Sequence, residues 1–175
     1  MVHVRHFEQK DAQHVSEILI AAFKSFLRDR FDEISAASFA PEELIKGAHV
    51  KDKFAVSEIF VAEEEGKILG AVKATAGSNG LGAFDYVGVD PEYHCHGVGS
   101  ILMAKAEEFW AKHKQRKIHT CVSAHNKRAI MYYLKHDFVP EGYCKDHFRE
   151  GVDEIILGRF LKSTETRPKR CRHPQ

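Results

Sequence analysis

A chain of 175 residues, 43% hydrophobic and 29% charged, is long enough for one buried core and too apolar to be disordered throughout. Its formal charge of +1 is unevenly spread: "KSTETRPKRCRHPQ", residues 162–175, holds five Lys or Arg against Glu165, a net of +4, which leaves −3 on the body to Leu161. A body of that sign excludes a broad nucleic-acid footprint, no apolar run reaches membrane-spanning length, and "MVHVRHFEQKD" lacks a signal-peptide core. The expectation is one cytoplasmic domain over residues 1–161 and a short basic tail, 162–175, read as disordered, with an acidic or nucleic-acid partner for the tail as a minor alternative. Cys95, Cys121, Cys144 and Cys171 form no Cys-x-x-Cys pair and read as free thiols.

"VHVRHF" reads as an opening strand, with Asp11 able to cap the helix that follows. Val15, Ile18, Leu19, Ala22, Phe23, Phe26 and Leu27 recur at three and four residues and predict an amphipathic helix. Pro41 stands where a first-turn proline opens a second helix, "PEELIKGA". "EIFVAEEEGKILGAVKATAG" predicts an antiparallel hairpin turning at Gly66, and "LGAFDYVGV" another strand. A helix follows with Val98, Ile101, Leu102, Ala106, Phe109 and Trp110 on its buried face. Next come the strand "KIHTCV", a helix from Asn126 with Ala129, Ile130, Tyr133 and Leu134 on one face, and a hairpin of "EGYCKDHF" and "VDEIILGRFL" turning near Gly151. This order predicts a mixed α/β domain of about seven strands and about four helices, the middle strand-helix-strand unit being parallel with a right-handed crossover.

The most informative stretch is "VGVDPEYHCHGVGSILM". Gly97 and Gly99 fall where strand passes to helix, and glycine lets backbone approach a ligand closely. First-turn amides lack intrahelical partners and carry the positive end of the helix dipole, so the turn suits a phosphate. Neither a Walker ending nor a G-x-G-x-x-G spacing is present. Taken alone, the Gly-x-Gly pair also fits a plain tight connection.

"VGVDPEYHCHGVG" resembles the signature of the GNAT N-acetyltransferase superfamily, Arg/Gln-x-x-Gly-x-Gly/Ala after a strand ending apolar-x-Val-x-Pro, with His94 in the Arg/Gln place. "NKRAIMYYLKHDF" is similar to the family's second signature through Asn126, Ala129, Tyr133 and Phe138, with Asp137 in place of the usual glycine. The element order to Leu161 agrees as well. The resemblance implies a GNAT-like sheet and acetyl-CoA as co-substrate. It further implies the backbone of Val87, Gly88 and Val89 pairing the pantetheine arm, and His94, Cys95, His96, Gly97, Val98, Gly99 and Ser100 holding the pyrophosphate. Asn126 and Tyr133 would complete the cofactor site.

Acetyl transfer to an amine needs a neutral nucleophile and a proton for the departing thiolate, since a free ammonium has a pKa of roughly ten. By the family match Tyr133 is the candidate proton donor, ahead of Tyr132; as a residue alone it also reads as a core tyrosine. Asp85 is the candidate base, directly or through water, because strand alternation would put it on the face of Val87 and Val89; a structural carboxylate is the equal alternative. Some family members carry a glutamate where this chain has Cys121, and Cys121 reads as a buried thiol. Asn126 can cap its helix. "HCH" at 94–96 does not make a four-ligand metal site, so no metal is expected.

The function expected from these signals is transfer of acetyl from acetyl-CoA to a primary amine, small molecule or peptide, by direct attack in a ternary complex. The alternative is an acyl-CoA-binding module that has lost catalysis. No nucleic-acid or membrane partner is expected. A homodimer is a family-level expectation, and the tail offers a docking segment if the acceptor is a peptide. "SFLRDRFDE", with Asp29, Asp32 and Glu33, is a candidate acceptor entrance or a solvated charged face.

Overall fold

The computed structural model describes residues 1–28 and 31–161; the basic tail, Cys171 and Asp29 lie outside the described residues. Eight strands, β1 (His3–His6), β2 (His49–Lys51), β3 (Ala55–Glu64), β4 (Lys67–Gly77), β5 (Leu81–Val89), β6 (Lys117–Ser123), β7 (Val139–Arg149) and β8 (Val152–Phe160), form one sheet. Their order is β1-β3-β4-β5-β6-β8-β7, with β2 also on β3. The helices are α1 (Ala12–Leu27), α2 (Glu33–Ala37), α3 (Pro41–Gly47), α4 (Val98–Lys112) and α5 (Lys127–Lys135). All neighbours are antiparallel except β5 and β6, the expected parallel pair.

Periodicity misses α2 and β2, which at five and three residues are too short to show one. The β3–β4 turn places Glu65 at φ 51° and Gly66 at φ 81°, two left-handed residues that match the twist of a tight hairpin. Each face of the sheet carries its own core. Val15, Ile18 and Leu19 of α1 and Leu44 of α3 pack with Ile59, Val61 and Ala71 on one face. Leu102, Met103, Ala106 and Trp110 of α4 and Tyr133 of α5 pack with Val72, Phe84 and Ile118 on the other. Met103 takes the buried place expected of Ile101, which is exposed, as is Leu134.

Asp11 does not cap α1 through its side chain. Its buried carboxyl instead accepts two hydrogen bonds from Arg5, at 2.6 and 3.0 Å, and one from the Glu8 amide at 2.8 Å. A guanidinium fork outcompetes a helix-end amide for a carboxylate, and Arg5 also reaches Glu63, so the pair fixes the start of α1 against the sheet edge.

The end of α5 explains why Asp137 stands where the family signature has glycine. Asp137 has φ 62°; its amide donates to Leu134 and the Phe138 amide to Tyr133, the two hydrogen bonds of a left-handed helix stop. Asp137 thus takes the glycine conformation itself, at the steric cost of its Cβ. Asp137→Gly should raise stability by about 0.5–1 kcal/mol, read as a shift in denaturant midpoint with an unchanged slope.

Candidate active site

β5 and β6 pair only at Leu81–Lys117, Gly82–Ile118 and Ala83–His119. Beyond those positions the strands part, although β5 runs to Val89 and β6 to Ser123. Thr120 bridges the fork: its hydroxyl donates to the Phe84 carbonyl at 3.1 Å. The split opens a cleft of about 1760 Å³ that reaches from the end of α1 to the glycine turn and α5. An unpaired strand edge inside a sheet offers main-chain groups to an extended ligand. Among the expected cofactor residues, Val87, Gly88, Val89, His94, Cys95, Gly97, Val98, Gly99, Ser100, Asn126 and Tyr133 line the cleft, as does Asp85. His96 is exposed outside that lining and turns its Nδ1 to the His94 carbonyl at 2.8 Å.

The glycine turn is built by left-handed backbone at Cys95 (φ 65°) and Gly97 (φ 84°). Gly97 is the N-cap of α4 without a side-chain cap, and nothing stands within 4 Å of where its Cβ would be. The Ser100 amide donates to the Gly97 carbonyl at 3.0 Å, which leaves the Val98 and Gly99 amides at the start of this fifteen-residue helix without an intrahelical partner. One stripe along α5 and its C-cap His136, at spacings of four, holds the turn. The Tyr132 hydroxyl donates to the Gly99 carbonyl at 2.7 Å, His136 contacts the Ser100 hydroxyl at 3.3 Å, and Arg128 donates to Nδ1 of His94.

With Nδ1 accepting from Arg128, Nε2 of His94 donates to the Val89 carbonyl at 3.0 Å. Burial, then the Arg128 charge, holds His94 below its ordinary pKa, so the histidine is neutral at pH 7 and the cation at the turn is Arg128. Lys127 and Lys135 also line the cleft. Asn126 spends its Oδ1 on the Ala129 amide at 3.1 Å, as expected of a cap, and what it offers the cleft is its Nδ2 amide.

Asp85 does not share a face with Val87 and Val89. The β4–β5 register steps from Lys73–Tyr86 to Ala74–Phe84, so Asp85 is the extra residue of a β-bulge, which breaks strand alternation and re-aims a side chain. Val87 and Val89 pack on the α4 side. Asp85 accepts a 2.5 Å hydrogen bond from Thr75, which points to the α1 side because its neighbours Ala74 and Ala76 belong to the α4-side core. Thr75 in turn contacts Ser57 at 2.7 Å. The carboxyl is open to the cleft, but the cleft walls strip part of its hydration. That burial raises its pKa above the ordinary value, against the opposing pulls of Thr75, Lys73 and His119.

Tyr133 is buried, with ring-edge contacts to Phe84, Tyr132 and Phe138 at 5.6, 5.1 and 5.2 Å. Burial pushes its pKa well up, against a hydrogen bond with Thr120, so its phenol stays protonated. Tyr133 meets the cleft at the fork that Thr120 bridges, and Asp85 approaches from the other face. Cys121 is exposed rather than buried; it faces the cleft with His147 and Glu154, their ligand atoms within 4.8 Å of one another, an arrangement able to bind a soft divalent metal. The Nδ1 of His119 and the hydroxyl of Tyr86, both cleft residues, are buried without a hydrogen-bond partner. Of the stretch 25–33, Ser25 to Arg28 line the cleft, whereas Asp32 caps Ser35.

The Acetyltransferase (GNAT) family model matches residues 20–138. The chain belongs to the GNAT acetyltransferase family. Among solved structures it is similar to the PaiA N-acetyltransferase of Thermoplasma acidophilum, in complex with coenzyme A, at 15% identity and TM-score 0.75, covering 92% of this chain and 99% of that one. It is also similar to the ribosomal-protein-S18-alanine N-acetyltransferase of Escherichia coli, at 16% identity and TM-score 0.72 over 96% and 99% of the chains. Ard1 of Thermoplasma volcanium gives 17% identity and TM-score 0.70 over 93% and 99%. No curated protein sequence matches significantly. At such identities these likenesses concern the fold, and they agree with the α/β architecture described above.

Acetyl-CoA is the typical donor of GNAT enzymes, and the residues present fit it. The open space over Gly97, the start of α4 and the cations Lys127, Arg128 and Lys135 all border the cleft, the chemistry a polyphosphate requires. Sequence reading missed Arg128 and Tyr86. Arg128, Tyr132 and His136 do stand at i, i+4 and i+8, but polar residues at that spacing read as a solvated helix face until the glycine turn is seen against them. Among the described residues, no helix is long and apolar enough to cross a membrane.

Proposed function

We propose that the protein transfers an acetyl group from acetyl-CoA to a primary amine, with both substrates bound at once on opposite faces of the split sheet. The observation that carries this reading is the fork between β5 and β6, which has a cationic, amide-rich turn on the α4 and α5 side and the bulged carboxyl of Asp85 on the α1 side. Acetyl-CoA, when bound, supplies an activated thioester. The glycine turn and Arg128 hold its phosphates, and the free edge of β5 from Val87 to Val89 aligns its arm. Asp85 removes a proton from the acceptor ammonium, directly or through water, and its raised pKa makes it a stronger base than an exposed carboxylate. Tyr133 holds a proton on its hydroxyl for the departing sulfur. Glu154, on the same cleft, adds negative charge that favours a cationic acceptor.

A thiol-release assay with acetyl-CoA against a panel of polyamines, amino acids and peptide N-termini tests the reading. Turnover that needs both substrates and yields an N-acetyl product is expected. Tight acetyl-CoA binding with no product from any amine would instead favour a binding module.

A further inference from the structure

On the far edge of the sheet, outside the cleft lining, three side chains converge that acetyl transfer does not use. His6 ends β1, His49 begins β2, and Glu58 lies on β3, the strand that both pair with. Nδ1 of His49 is 2.5 Å and Nδ1 of His6 3.3 Å from the same oxygen, Oε2 of Glu58, and the three ligand atoms lie within 4.8 Å of one another.

The other ring nitrogen decides how this cluster can be satisfied. Nε2 of His49 is 3.3 Å from the Phe7 carbonyl, which can only accept, so Nε2 carries the proton and donates it. In the neutral ring Nδ1 is then a lone pair. An Nδ1 at 2.5 Å from a carboxylate oxygen needs a cation between them, and either the proton of an imidazolium or a metal ion can supply it. A backbone carbonyl fixing the tautomer from behind is also how metal-bound histidines are oriented.

We propose that His6, His49 and Glu58 form a divalent-metal site, best suited to zinc. Two imidazoles and one carboxylate are a zinc donor set, and bonds of about 2.0–2.2 Å require only that the Glu58 carboxyl draw back slightly and admit the ion between the three. Both histidines are exposed, which leaves the fourth tetrahedral position to solvent. The site joins the end of β1 to the start of β2 and thereby closes residues 7–48, the segment that carries α1, α2 and α3. Its role is to pin that helical layer, whose α1 lines the cleft, to the edge of the sheet.

The test uses the untagged full chain carrying His147→Ala, which silences the Cys121, His147 and Glu154 cluster. Titration calorimetry with Zn²⁺ should show one equivalent bound. At free Zn²⁺ a hundredfold above the dissociation constant, the melting temperature should rise by about 5–10 °C. Adding His49→Ala or Glu58→Gln should abolish both effects, and His6→Ala should weaken binding at least tenfold. Co²⁺ in the site should give visible absorption without a thiolate charge-transfer band. Absence of binding, or binding indifferent to His49→Ala and Glu58→Gln, would overturn the proposal. So would His49 appearing as an imidazolium by NMR at pH 7 with Zn²⁺ present, because a proton would then occupy the metal's place.

Discussion

Asp85→Asn should slow acetyl transfer by about 10²–10⁴-fold and at the same time raise the melting temperature at pH 7. The first effect follows from the proposed base role. Asparagine keeps the hydrogen bond from Thr75 Oγ1, so the bulge and its geometry survive while the proton acceptor is lost. The second follows from the direction of the pKa shift. Because burial raises the Asp85 pKa in the folded protein, the folded state holds this proton more tightly than the unfolded one. Its stability then falls as pH rises from the unfolded carboxyl value through the folded value. That loss grows as the carboxyl ionises, and an uncharged amide removes it. In the parent enzyme kcat/KM should rise with pH through the Asp85 ionisation, a limb that Asp85→Asn should lack. The acceptor ammonium ionises far higher and gives a separate limb that both proteins share. A structural carboxylate predicts the reverse pairing, lower stability with nearly unchanged turnover.

Tyr133→Phe is the second large effect. It removes one oxygen from a buried ring packed between Phe84, Tyr132 and Phe138. Loss of the Thr120 hydrogen bond should cost about 1 kcal/mol, roughly 2–4 °C in melting temperature for a chain of this size. The proposed proton-donor role adds a fall in kcat of about 10²-fold with little change in KM for acetyl-CoA. That deficit should shrink as pH rises past the ordinary thiol value of about 8.5, where the sulfur leaves as a stable thiolate without a proton. A merely structural tyrosine would lose the stability and keep the rate at every pH.

Much of the architecture was legible because long elements repeat their apolar residues with a clear period, α1, α4 and the β3–β4 hairpin above all. The glycine turn and the α5 signature were legible as local strings. What escaped depends on pairings distant in the chain. The bulge at Asp85 exists only in the register of β5 against β4, so alternation within "AFDYVGV" gave the wrong face. Cys121 reads as an apolar interior residue from "KIHTCV", yet β6 turns that side to the split. The cluster of His6, His49 and Glu58 needs two strands laid end to end along a third, and neither histidine has a local motif. Asp137 looked like a defect in the family signature, but aspartate tolerates the left-handed conformation that glycine ordinarily supplies there.

Thermal unfolding with acetyl-CoA, with a nicotinamide dinucleotide as control and Arg128→Ala as a second protein, tests the central claim most directly. The account predicts a selective stabilisation of about 2.7 kcal/mol at a hundredfold excess over the dissociation constant, and one that needs a higher acetyl-CoA concentration in Arg128→Ala. No shift at millimolar acetyl-CoA, or an equal shift with the dinucleotide, would mean that the glycine turn does not hold the pyrophosphate and that the cleft is not an acetyl-CoA site.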